Sequence, residues 1–111
     1  MASIKWGIKQ GDNSPGVSAT LKDADGGVID LTACTVKFNM RLRASRKVKI
    51  SLGAVVLVVA ASGTVRYDWQ AGDTDAAGIY EIEWQITDAA LDVQTVPTKE
   101  YDLLQVYAEL A

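Results

Sequence analysis

Four carboxylates fall close together in "DTDAAGIYEIEWQIT": Asp73, Asp75, Glu81 and Glu83. Paired acids can divide the work of glycoside hydrolysis, one protonating the leaving oxygen while the other serves as nucleophile or base. A plainer reading competes with that one. Tyr80, Ile82, Trp84 and Ile86 alternate with Glu81, Glu83 and Gln85, so a strand here turns its large apolar groups inward and its glutamates to solvent. Aspartates in a corner such as "DTDAAG" commonly accept hydrogen bonds from nearby backbone N–H groups. The stretch therefore reads as scaffold, a structural corner built by Asp75, Gly78 and Tyr80.

The other candidate chemistries are thinner. "DADG", Asp23 to Gly26, resembles the opening of a calcium loop, but no oxygen ligands follow at the required spacing and no bidentate Glu closes it, so a turn is expected. Trp6, Trp69 and Trp84 would make a sugar-stacking platform if they shared a surface. All three fall on inward parities and read as core. Cys34 has no adjacent Lys or Arg to lower its thiol pKa and reads as a buried structural thiol. As the only cysteine it makes no internal disulfide. Histidine is absent, which removes the commonest general base, the usual zinc ligand and the partner of Ser or Cys nucleophiles. A net charge of −3 leaves no basic footprint for a phosphate backbone. No catalytic residue, cofactor, metal or nucleic-acid partner is expected.

The elements that would position these residues are short strands divided by turns. Ile4, Trp6 and Ile8 share one parity, as do Val17, Ala19 and Leu21 after the turn-rich "QGDNSPG". Val28 to Leu31 gives a short extended piece, and Val36, Phe38, Met40 and Leu42 then alternate with Lys37, Asn39 and Arg41. "RASRK" is a polar connection. The apolar run from Ala54 to Ala61 follows a basic flank, as in a secretory signal, but it is internal and far short of the roughly 20 residues a membrane helix needs. Its β-branched valines predict a strand, and apolar residues on both parities predict cover on both faces or exposure to another chain. Val65, Tyr67 and Trp69 form another inward set. "VQTVP" and "EYDLLQVYAEL" supply the last pairing, with Leu104, Val106, Ala108 and Leu110 inward.

Seven or eight strands without a convincing helix predict an all-β fold, an immunoglobulin-like antiparallel β-sandwich formed by residues 1–111 as one domain. In such sandwiches a Tyr at a corner before an inward strand returns its hydroxyl to upstream backbone, the role expected of Tyr80. Two surfaces stand out as candidate interfaces. Leu103 and Tyr107, with one face of the valine run including Val56 and Val58, would leave a large apolar patch unless the chain covers it itself. The basic connection with Arg43 and Arg46 is either a solvated hairpin or a docking element for an acidic partner.

Three stretches carry a family resemblance in order along the chain. They are "IKQGDNSPGVSATLKDADGGVIDLTACTVKFNMR", "SGTVRYDWQAGDTDAAGIYEIEWQI" and "VPTKEYDLLQVYAEL". With their early "GD", "DLT" step, strand ending in "MR", "GDTDxAGxY" and late "P", they resemble the N-terminal domain of phage baseplate upper proteins. The resemblance implies an immunoglobulin-like domain of a tailed-phage virion, made in the bacterial host cytoplasm, that works by holding other virion structural proteins in place, in repeated copies or as a homo-oligomer, without membrane or nucleic acid. That family generally continues into a stalk, whereas this sequence stops at Ala111, so a free-standing adaptor or a head or tail decoration protein is also expected of it. The alternative from another class is a carbohydrate-binding module.

Overall fold

Alternation of apolar and polar residues becomes nine strands, in a computed structural model that describes residues 4–97 and 101–110. They are β1 (Ile4–Lys9), β2 (Val17–Thr20), β3 (Thr35–Leu42), β4 (Val48–Ala54), β5 (Val56–Val59), β6 (Thr64–Tyr67), β7 (Gly78–Thr87), β8 (Val93–Val96) and β9 (Asp102–Tyr107). The Thr98–Glu100 part of "VPTKEYDLLQVYAEL" lies outside the described residues. The one helical element among them is a 3₁₀ turn at Ala60–Ser62.

Six strands form one sheet in the order β1-β9-β7-β3-β4, with β8 beside the second half of β7, and three form the other as β2-β6-β5. β7 is long enough to pair with β9 over its first half and with β8 over its second. The protein is an all-β sandwich. Its β2-β6-β5 and β3-β7-β9 orders match the B-E-D and C-F-G orders of the immunoglobulin fold, with β4 added at the edge. The expected antiparallel arrangement needs one correction, because β1 runs parallel to β9 and makes the larger sheet mixed. Period-2 patterning fixes which face of a strand is inward but carries no information on direction.

The β3–β7 ladder holds the frame in register. Eight successive pairs run from Thr35↔Thr87 to Leu42↔Tyr80 without a bulge. Val36, Phe38 and Met40 thereby meet Ile86, Trp84 and Ile82 on the inner face, while Asn39 and Arg41 meet Glu83 and Glu81 on the outer one. Phe38 links the sheets: its ring stacks on Tyr67 of β6 at 4.5 Å and tilts against Trp84 at 4.8 Å. Such aromatic pairs contribute about 0.5–1.5 kcal/mol beyond the area they bury.

The apolar run departs most from expectation. The chain leaves the larger sheet after Ala54 and enters the smaller one at Val56, so two edge strands replace a single doubly covered one. Gly53 marks the crossing. A Cβ there would lie 2.7 Å from the Tyr67 ring, so no larger residue lets the backbone pass so close to the core. Val56, Val58 and Val59 stay exposed along β5. Three inward assignments also fail at chain positions where pairing is thin: Ile4 is exposed, and Ala108 and Leu110 are exposed because β9 ends at Tyr107.

Candidate functional site

Each acid of the corner has a specific partner. Asp73 accepts hydrogen bonds through one oxygen from the Tyr67 hydroxyl at 2.6 Å and from the Gln70 N–H at 2.7 Å. Asp75 pairs with the Lys49 ammonium, and its backbone carbonyl accepts from the Gln10 side-chain amide at 2.7 Å. Between them Thr74 is buried, its hydroxyl donating to the Asp12 carbonyl at 2.7 Å. Gly78 takes a φ of +152°, and a Cβ there would press on Leu42 at 2.9 Å. Tyr80 donates its hydroxyl back to the Ala76 carbonyl at 2.7 Å. Burial raises the pKa of both phenols, with the hydrogen bond to Asp73 adding to the effect at Tyr67. The corner ties the loop after β1 to the start of β7.

Glu81 accepts from Arg41 Nε at 2.7 Å, and the Arg41 guanidinium lies over the Tyr101 ring, 4.6 Å from its centroid. Asp73, Asp75 and Glu81 are thus committed to separate donors. Glu83 has no ion-pair partner among the described residues.

In "DADG" one Asp23 oxygen accepts the N–H groups of Asp25 at 3.0 Å and Gly27 at 2.9 Å, which is the geometry of a turn. Among the described residues no group of three or more acids and cysteines is placed to hold a metal ion. Cys34 is half-buried, with its thiol 3.7 Å from the Thr32 carbonyl. Trp69 and Trp84 are buried in the core, and Trp6 sits half-buried at its rim, donating from Nε1 to the Ser18 carbonyl at 3.1 Å. They do not form a platform. Trp6 and Trp84 do share a cavity of about 290 Å³ between β1 and β2, bordered by Lys5, Lys22 and Asp102. The Trp84 Nε1–H is buried without a hydrogen-bond partner, the only such side-chain atom among the described residues.

No known family model matches the chain. No curated protein matches it either.

The surface residues therefore carry the weight, and the structure separates those the sequence grouped. Leu103 is 5% exposed, so it is not an interface anchor. It faces outward from β9, paired with Ile4 and Glu81 on the adjoining strands. Tyr107 is exposed at the far end of β9, with its ring over Gly7. Val56 and Val58 are exposed on β5, and Arg43 and Arg46 are exposed in the β3–β4 turn. Tyr107 and the valines belong to different sheets and do not form one patch.

The face that the sequence did not reveal is a groove of about 350 Å³ on the outer side of β4, β3 and β7. Val48 and Leu52 of β4 line it together with Tyr101, and Asn39, Glu81 and Glu83 contribute its polar groups. Leu52 is its most unusual member. It has a φ of +55°, is 52% exposed, and donates its N–H to the Asn39 side chain at 2.7 Å. Left-handed backbone is a glycine or asparagine conformation, and nothing in the spacing of "VKISLGA" marks a leucine as adopting it. Val48 and Leu52 are exposed on edge strand β4, whose pairing with β3 is irregular, a feature that alternation does not encode.

Proposed function

We propose that this protein is a structural component of a tailed-phage virion, a β-sandwich that attaches to other virion proteins as a baseplate or tail adaptor, or as a head or tail decoration protein. It acts by shape and hydrophobic complementarity and performs no catalysis. The single observation that carries this reading is the edge formed by β4 and β5. Val48, Leu52, Val56, Val58 and Val59 are exposed along it, and no charged residue occurs from Ile50 to Val65. Soluble domains normally blunt sheet edges with charge or Pro, and β1, the opposite edge of the larger sheet, carries Lys5 and Lys9. From Ile50 onward the edge lacks such protection, which suits burial against a neighbour. The ordered likeness to baseplate upper domains supplies the virion context.

The test is quantitative peptide mass spectrometry of purified source particles against the major capsid and tail-tube proteins. A small, fixed copy number supports an adaptor, and an abundance near that of the capsid protein supports decoration. Absence from the particle overturns the reading. Glycan binding is the second reading, favoured by the cavity that Trp6 and Trp84 border. Quenching of tryptophan fluorescence by host polysaccharide supports it, and an unchanged spectrum removes it.

A further inference from the structure

Leu52 is in a place where its own fold gains little from a leucine. Its left-handed backbone is strained for any residue with a branched apolar side chain, and half of that side chain faces water. Asparagine or glycine would relieve the strain and lose little burial. What a leucine supplies here is an apolar group held at the wall of the groove. Among the described residues the non-glycine residues with positive φ are Ala33, Arg46, Leu52 and Leu91, so two of them fall on the single hairpin β3–β4. Arg46 lies in the turn at one end of the groove, and Leu52 stands at the other.

The charges around the groove are distributed unevenly. Arg43, Arg46 and Lys47 are exposed in the turn and make no ion pair among the described residues. Glu83 is level with Asn39, whose side chain holds Leu52, at the opposite end. Along β3 the turn begins four residues beyond Asn39, roughly 13 Å away at strand spacing. One chain therefore does not pair its own turn with its own Glu83. A second copy related by a two-fold axis reverses the direction of the groove and sets the turn of each against the Glu83 end of the other, an isologous contact. β4 itself opposes nothing to this approach. Its only charge is Lys49, which Asp75 neutralises.

We infer that the outer face of β4, β3 and β7 is a self-association surface: a second copy of this chain packs on it about a two-fold axis, Leu52 and Val48 forming its apolar centre and the 43–47 turn of each copy reaching the Glu83 of the other. This rests on the assembly reading above and names its partner and geometry. The contact is made by side chains across the face rather than by an extended ladder, because the pairing of β4 slips on both sides of Ile50. Central apolar anchors carry most of the affinity, and the paired charges set register.

Sedimentation velocity of the full chain over a wide concentration range tests it, with Leu52→Asn, Glu83→Lys, Arg46→Glu and the Glu83→Lys/Arg46→Glu combination alongside the parent. The expected parent is a concentration-dependent dimer. Leu52→Asn weakens association at least about tenfold while its unfolding midpoint stays the same or rises, which separates lost contact from lost fold. Each charge reversal alone weakens the dimer and the combination restores it, since a two-fold contact exchanges both pairs together. A parent that is monomeric throughout, a dimer indifferent to Leu52→Asn, or reversals that the combination does not rescue each overturn the inference. Particle composition is read independently: a monomer found in virions refutes the dimer alone, and a dimer absent from virions refutes the assembly reading alone.

Discussion

Removing the Asp73 carboxylate should harm the protein more than removing the hydroxyl that bonds to it. Tyr67 is 2% exposed, its ring stacked on Phe38, and its hydroxyl donates to Asp73 at 2.6 Å. Tyr67→Phe keeps the stacking and deletes one charge-assisted hydrogen bond. The half-buried carboxylate keeps the Gln70 N–H and some water, so the loss is about 1–1.5 kcal/mol. Asp73→Ala strands a buried hydroxyl without an acceptor and also releases the Gln70 N–H, for about 2–3 kcal/mol. The double variant has no stranded donor and should be more stable than the sum of the two losses implies, a coupling of about 1–2 kcal/mol. Urea denaturation with a shared m-value measures all four proteins. Equal losses for the two single variants, or additive ones, would refute the claim that the fold seals this hydroxyl from water.

The sealed Tyr67 hydroxyl also sets a pH dependence whose sign is fixed. Burial first, then the bond to Asp73 and its charge, hold the Tyr67 phenol above its ordinary value of 10.0. Above about pH 10 the unfolded chain loses this proton while the folded chain keeps it, so the unfolded state binds fewer protons and stability falls as pH rises. The contribution is fully present below pH 10 and declines by at most about 1.4 kcal/mol per pH unit for the one tyrosine. Tyr67→Phe should show a shallower decline than the parent. A residual slope remains from Tyr80 and Lys49, both also raised in the folded state.

Tyr80→Phe should lower stability by about 1 kcal/mol, a few degrees in melting temperature by calorimetry, because the exposed Ala76 carbonyl regains water once the hydroxyl is gone. Gly53→Ala should cost roughly 1–3 kcal/mol in denaturant titrations, since its Cβ would meet the buried Tyr67 ring at 2.7 Å. Gly7→Ala, facing the movable ring of exposed Tyr107 at 2.8 Å, should cost well under that. A sensitive glycoside hydrolysis assay should read the same background for the parent and for Asp73→Ala.

How much of this was legible depended on what kind of constraint placed each residue. The inner faces of β3, β6 and β7 were readable because one covered face per strand imposes a strict period of two, and Phe38, Tyr67, Trp84 and Ile82 are all buried as that period requires. The Tyr80 corner was readable for a similar reason: a turn, a glycine and an inward aromatic follow one another within eight residues. Direction was not, and so the parallel β1–β9 pair was missed. Nor was the break at Gly53, which depends on where the Tyr67 ring lies in the opposite sheet.

The outer surface was the least legible part, and the physical reason bears on function. Leu103 and Leu52 are both leucines on strands at the outer side of the same sheet, yet one is sealed by its neighbours and the other stands in water. Parity treats them alike. What separates them is position: β9 lies between β1 and β7, while β4 is an edge with only β3 beside it. An apolar residue on an interior strand can be covered by its own sheet, whereas one on an edge can be covered only by something added. The exposed apolar residues of β4 and β5, where no charge occurs from Ile50 to Val65, are therefore the ones whose burial requires another molecule.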